Sequence, residues 1–528
     1  MKSKSVMQFL FSMTLLPICF GVFAQGELQR LNISDFGAVA DTNVVSTEAI
    51  QAAIDSAYLS GGGIVVFPAG NYCAGTIVLK KNVTLLLEEG ATLYASTDIN
   101  DYRMPLDDAT KPVLIYANGA ENISLTGKGR IHGRAKRVYR DLKKVDLFIE
   151  DITENARKAG VEMKRFYVVK PDVSLINIAK CKNINIEGIT VEESTFWSMH
   201  LVRCINVRIN AVRVISSLES GVNSDGIDIN SSQDVVITNS FISTGDDAIV
   251  LKTRYIDPCQ NIRVSNCTLS SSSTALKIGT ESHGDFRDIK FENCTIENTN
   301  RGLSIVVMDG ATVENIHFSN IEANCTRRHF NWWGNGDPIW LYVSKRNVDS
   351  RIGEIRAVSF TNIKASGMGT SRIESTESNT IKDIKFNNVE LKMNAENYPD
   401  KRAGCAFVAI DVTGLEMNNV SVSWDDIITE PNWSNGFFFS GVKQLKIRNI
   451  EGRQGLLNSE NPMILLNNIN SGYIQNVLPK EGTNVTIGIS GGNTKDLIIM
   501  NVDPMMKSKK AMQIGDEVDE SEIEFRTE

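Results

Sequence analysis

The chain has 528 residues, 42% apolar and 22% charged, with 39 Gly and 12 Pro. This composition excludes collagen-like, disordered and disulfide-dense small scaffolds. Length alone argues for about three domains, a prior that fails if the chain is one long repeat. The formal net charge is −8; such a surface disfavours general nucleic-acid binding, because phosphates meet repulsion, and leaves room for a local basic pocket.

Lys2 and Lys4 precede an apolar run from Phe9 to Phe23, and Val22-Phe23-Ala24 offers a cleavage site before Gln25. Residues 1–24 read as a secretory signal, which makes the mature protein secreted or periplasmic. Its loss removes two lysines and no acid, so the mature charge becomes −10. The run is too short and interrupted for a membrane anchor, and no other stretch is apolar enough to span a bilayer. Cys19 offers a lipoprotein reading as the alternative, but Ile18 is bulky where such a site has a small residue. Residues 25–528 are expected to form one domain.

Ser46 to Tyr58 carries Ile50, Ala53, Ile54 and Ala57 at helical spacing, a candidate N-terminal cap. Gly61-Gly62-Gly63 ends it, and Ile64-Val65-Val66-Phe67 opens the strands. Residues 134–165 are dense in charge and read as a helical surface insertion.

Beyond this insertion one short phrase recurs: Asn or Asp, an apolar residue, any residue, another apolar residue. It begins at Asn183, Asn206, Asp234, Asn261, Asp288 and Asn315, in steps of 23, 28, 27, 27 and 27. Within each unit apolar and polar residues alternate, which is strand periodicity, and Asn, Asp, Ser and Gly separate the runs. A unit made only of short strands points to a parallel β-helix, an all-β solenoid whose turns stack at ~4.8 Å around a shared interior. Eight cysteines remain after the signal, without metal-binding spacing. Cys267 and Cys294, one unit apart, are expected as stacked buried thiols rather than a disulfide.

Aligning the repeat superposes Met199, Ile227, Ile249, Leu276, Leu303 and Ile339, in steps of 28, 22, 27, 27 and 36. The residue two before each is Trp197, Asp225, Asp247, Thr274, Arg301 and Asp337. Asp225 and Asp247 therefore share a column on adjacent turns, with Asp246 beside them. Clustered carboxylates repel, so their ionisation is coupled and at least one pKa rises. Glycoside hydrolysis needs such a set, one protonated acid and one ionised base. Turn aspartates capping backbone amides, or a calcium site, are the alternatives.

Asn223-Ser224-Asp225-Gly226-Ile227-Asp228 and Gly245-Asp246-Asp247-Ala248-Ile249, with Ser34-Asp35-Phe36-Gly37-Ala38 and Phe67-Pro68-Ala69-Gly70, resemble glycoside hydrolase family 28, the polygalacturonases and their relatives. The resemblance implies a right-handed parallel β-helix that cleaves with inversion and without a metal or other cofactor. It implies Asp246 as general acid, with Asp225 and Asp247 activating water, and Asn223 beside them in substrate binding. Two departures are visible. The family's Gly-His-Gly segment corresponds to Ser273-Thr274-Ala275, and its Arg-Ile-Lys triplet to Ser304-Ile305-Val306, which argues against an ordinary endo-polygalacturonase.

Other cations are candidates for the missing groups. Alternation puts Asp228, Val250, Lys277, Ser304 and Trp340 outward. Lys252, with Arg254 close by, and Lys277 are expected to bind a uronic carboxylate, with solvated lysines as the bland reading. Arg301 shares the Asp column and pairs carboxylates well, or else forms a structural salt bridge. His283 lies several residues late for the missing His. His132, His200, His317 and His329 lack metal-ligand spacing. Asn331-Trp332-Trp333-Gly334 offers either a sugar-stacking wall or buried packing. The expected partner is an acidic, uronic-acid polysaccharide or oligosaccharide. A lyase on a similar solenoid, or a non-catalytic carbohydrate-binding solenoid, are the competing functions.

Overall fold

A computed structural model describes residues 29–141, 154, 157–161, 167–169, 171–328, 333–457 and 459–526. The expected signal segment, His329 and Asn331-Trp332 lie outside the described residues. The chain is a right-handed parallel β-helix. One wall is a 15-stranded sheet, and a 25-stranded sheet wraps the rest, with every pairing in both sheets parallel wherever its register is defined.

The repeat phrase has a backbone cause. Asn183, Asn206, Asp234, Asn261, Asp288 and Asn315 all adopt positive φ, between 53° and 58°. Asn and Asp tolerate this left-handed corner better than other side chains. They also join along the solenoid: Asn183 Nδ2 donates to Asn122 Oδ1 and Asn206 Nδ2 to Asn183 Oδ1, each at 2.8 Å. A second ladder on the same principle runs through Asn320, Asn362, Asn388 and Asn419. The apolar residues of each phrase point inward. Phe291, Phe318, Phe360 and Phe386 stack with ring centroids 5.0, 5.0 and 4.8 Å apart, the spacing of successive turns. Cys267 and Cys294 are buried free thiols on neighbouring turns.

Helix α1 (Thr47–Leu59) buries Ile50, Ala53, Ile54 and Ala57 against the first turn. In the expected insertion, the helix Ala135–Val138 leads into Tyr139–Asp141, which pairs antiparallel with Tyr167–Val169. Most of what lies between is outside the described residues.

The strands Ile227–Asn230, Ile249–Thr253, Thr274–Ser282, Arg301–Val307 and Asp337–Val343 lie side by side in the 15-stranded wall. Their register pairs Ile227 with Ile249, Ile249 with Leu276, Leu276 with Leu303 and Leu303 with Ile339. The expected column is therefore real, including the longer step before Asp337. Facing away from the core, Asn177, His200, Asp228, Val250, Lys277, Ser304, Trp340 and Arg372 form one continuous row.

Candidate active site

The turns before two of these strands carry the acids, and their glycines are there for space. A Cβ on Gly245 would collide with the carbonyl oxygens of Gly221 and Ser217, and one on Gly226 with the carbonyl of Ala248. The turns can stack closely only without those carbons. Close stacking is secured by Gly226 N–H donating to Asp247 O at 2.8 Å and Ser198 N–H to Asp225 O at 2.9 Å. Asp246 has its carbonyl fixed by Thr244 Oγ1 at 3.0 Å and Ser271 Oγ at 2.7 Å. Its side chain is half-buried, while Asp225 and Asp247 are buried.

Each of the buried acids has a lysine. Lys277 Nζ donates to Asp247 Oδ2 at 2.7 Å, and Ser273 Oγ and the Thr274 N–H reach Asp247 Oδ1 at 2.8 and 3.2 Å. Burial pushes Asp247 up, but Lys277, Lys252 and the Ser273 hydroxyl outweigh it and hold this carboxyl below its ordinary value. Lys252 Nζ donates to Asp225 Oδ2 at 3.1 Å and lies 2.8 Å from Asp228 Oδ1. Burial and the neighbouring Asp247 charge raise Asp225 against the pull of Lys252. Asp228, with no exposed surface, is raised well above the usual range, burial first and the Asp225 charge also acting. One ammonium cannot balance every acid around it. Lys252, which burial would neutralise, stays charged because Asp225, Asp228 and Glu281 hold it.

The expected cations thus sit differently from a substrate clamp. Lys252 and Lys277 both project from the wall as alternation requires, yet their ammonium groups are spent on Asp225, Asp228 and Asp247 rather than left to a ligand. Arg301 is buried, stacks on Trp340 with its guanidinium 3.8 Å from the ring centroid, and pairs with Asp337 at 3.4 Å. This is the structural salt bridge among its readings. His283 is exposed, with Nε2 4.0 Å from Asp309, a carboxylate already held by Arg346. It stands by that pair and not in the place of the missing His. Ser273 and Thr274, which occupy the departed segment, bind Asp247 directly. Asn223 is exposed beside Asp225, and Trp333 is exposed. A hard cation would need these carboxylates, yet one oxygen each of Asp225, Asp228 and Asp247 already faces an ammonium group, so the cluster is a poor fit for a calcium site.

Three participants were not singled out from the sequence. Asp228 lay in the outward row, but its burial came from neighbours far along the chain. Glu281 is drawn down by Lys252, Lys277 and Arg254 despite burial. Trp197 has Lys252 Nζ 4.1 Å above its ring and packs edge-on to His200; its place at the head of the Asp column was its one visible signal. A larger groove of about 810 Å3, lined by Glu322, Lys364, Glu390 and Lys392, lies on the 25-stranded sheet, away from the acids.

Comparison with known proteins agrees with this architecture. A probable polygalacturonase of Vitis vinifera is 28% identical over 229 residues, covering 42% of this chain and 44% of the relative. An exo-poly-alpha-D-galacturonosidase of Dickeya chrysanthemi is 27% identical over 252 residues, covering 42% and 41%. The chain spans less than half the length of these two curated relatives. In three dimensions it is similar to an exopolygalacturonase from Thermotoga maritima (TM-score 0.60, 24% identity, 75% of this chain and 92% of that one). It is also similar to the family 28 exopolygalacturonase of Yersinia enterocolitica (TM-score 0.61, 22% identity, 80% and 78%). Both share the fold. The model of glycosyl hydrolases family 28 matches residues 65–328, half of the chain and the half that holds Asp225, Asp228, Asp246 and Asp247, and the protein belongs to that family.

Proposed function

We propose that the protein is an inverting glycoside hydrolase acting on galacturonic-acid-containing pectic polysaccharide or oligosaccharide. The Asp246 carboxyl gives its proton to the glycosidic oxygen as the bond to the anomeric carbon breaks. Water attacks that carbon from the opposite face, and the carboxylates of Asp225 and Asp247 take its proton. Asp246 is left ionised and recovers a proton through solvent. The observation that carries this reading is the unequal treatment of adjacent acids: Asp247 is locked ionised by Lys277, while Asp246 beside it remains half-exposed. A base must be ionised and an acid must reach the substrate, so the two environments suit the two roles. The names of the relatives support galacturonan as substrate, and a signal over 1–24 fits secretion.

The test is cleavage of defined oligogalacturonides with product anomers followed by NMR. The β anomer should appear first from α-linked substrate. Retained α configuration, or an unsaturated product absorbing in the ultraviolet, overturns the mechanism. Asp246→Asn should lower kcat by about 10²- to 10⁴-fold with the fold intact, and wild-type turnover in that variant removes Asp246 from the acid role.

A further inference from the structure

Next to the acids lies a cavity of about 320 Å3 lined by Asp108, Thr110, His200, Asn230, Arg254 and Tyr255. It opens on the outward row one step before Asp228, since His200 pairs with Asp228 and Asn230 with Lys252. Trp197 connects it to the acids: Lys252 Nζ lies 4.1 Å and the Arg254 guanidinium carbon 5.9 Å from its ring centroid.

The charged groups and the imidazole around this cavity are already engaged, with one exception. Asp108 accepts from Tyr255 Oη at 2.7 Å and pairs with Lys180 at 2.8 Å, and these contacts hold it ionised against burial. Arg203, over the Tyr255 ring, pairs with Asp257 at 2.8 Å. His200 is buried between the Asn177 and Asn230 amides, and burial with the Lys252 and Arg254 charges drives its pKa down to about 3, so it is neutral. Arg254 has its main chain fixed, its N–H donating to Asn230 Oδ1 at 3.0 Å. Its guanidinium is exposed, and among the described residues it makes no ion pair and no hydrogen bond. Glu281 feels its charge without pairing with it. Lys252, Lys277 and Arg301 all have carboxylate partners; Arg254 is the cation beside the acids whose forked donors remain for a ligand.

We infer that Arg254, with Trp197 and the Thr110–Tyr255 cavity, forms a subsite that binds the carboxylate of a uronic-acid unit adjoining the bond that is cut. This rests on the hydrolase reading for its substrate. The physical argument is independent of it: a guanidinium presents a planar pair of N–H donors that matches a carboxylate. Its backbone is pre-set by Asn230, so little is lost in ordering it. The neutral His200 floor adds no competing charge, and the one acid facing the cavity is compensated by Lys180.

Binding of trigalacturonate and of its fully methyl-esterified form is measured by calorimetry on the full chain carrying Asp246→Asn, with and without Arg254→Gln. Arg254→Gln should weaken the acid form about 10- to 100-fold and the ester less than twofold. Arg254→Lys, which keeps charge and loses the fork, should fall between. Equal affinity for the acid with and without Arg254→Gln, equal loss on acid and ester, or no trimer binding at all overturns the subsite. A chain that binds the trimer through Arg254 and never cleaves it overturns the hydrolase reading and leaves the subsite standing.

Discussion

In the proposed mechanism the Lys277 ammonium, 2.7 Å from Asp247, is a positioning group for the base. Removing it as Lys277→Met takes away the charge that keeps Asp247 ionised despite burial, so the Asp247 pKa rises. The low-pH limb of the kcat/KM profile, which reports ionisation of the base, should move upward by about one pH unit or more. The loss should be the same on acidic and neutral substrates. A profile that falls in height without moving along the pH axis would leave Lys277 only a structural role. The sign for stability is consistent: the depressed Asp247 pKa adds stability above its unfolded value, and that contribution fades as pH drops through the folded one. How far such roles can be read in advance is clear from this residue. The repeat placed Lys277 outward and one turn from Ser304, correctly. The repeat could not say that the ammonium would bend back to Asp247, because that depends on rotamer and on burial supplied by other turns.

The corners that carry the Asn ladder are left-handed, and the ladder pays twice there, in backbone conformation and in hydrogen bonding. Asn388, at φ 55°, donates to Asn362 and accepts from Asn419, each at 3.0 Å. Asn388→Ala forces a Cβ without a compensating side chain into this corner and should cost roughly 1–2 kcal/mol. Asn388→Gly relieves the steric part and should recover most of that loss even though it also cuts the ladder. Thermal midpoints of the two variants decide it: if glycine is as destabilising as alanine, the ladder hydrogen bonds outweigh the backbone. The ladder also explains why the repeat phrase was visible at all. Asn and Asp tolerate this corner best and fill it most often, although Ala357, Gln444 and Ser471 also take it; the apolar pair after it must face the shared interior, so two separate constraints fell on four consecutive positions. The insertions obey neither constraint. Tyr255 finds Asp108 across 147 residues with no periodic signal to announce the pair, and the Arg254 cavity that this contact helps build was legible only as a cation near Lys252.

A solenoid has no closed core, so its terminal turns must satisfy their own strand edges. At the described N-terminal end this falls to α1, and one side chain of it imitates a neighbouring strand. Gln51 accepts the Val78 N–H through Oε1 at 2.7 Å and donates through Nε2 to the Val78 carbonyl at 3.1 Å. Thr47 Oγ1 likewise takes the Gly75 N–H at 2.8 Å, and the Ser46 N–H donates to Cys73 O at 2.7 Å. The helix was predictable from its apolar spacing; its edge chemistry was not, because Gln51 reads as an ordinary polar position until the strand beneath it is known. Gln51→Leu keeps the volume and the helix but strands a buried donor and acceptor, at a cost of about 1–3 kcal/mol for each group left unpaired. It should lower the thermal midpoint and raise light scattering on heating, since an uncapped edge recruits other chains. Turnover at low temperature should be unchanged, because neighbouring turns alone build the Asp225–Asp247 site and those turns lie well along the spiral. A Gln51→Leu protein that melts and scatters like the parent would show that the apolar face of α1 protects the edge without this amide.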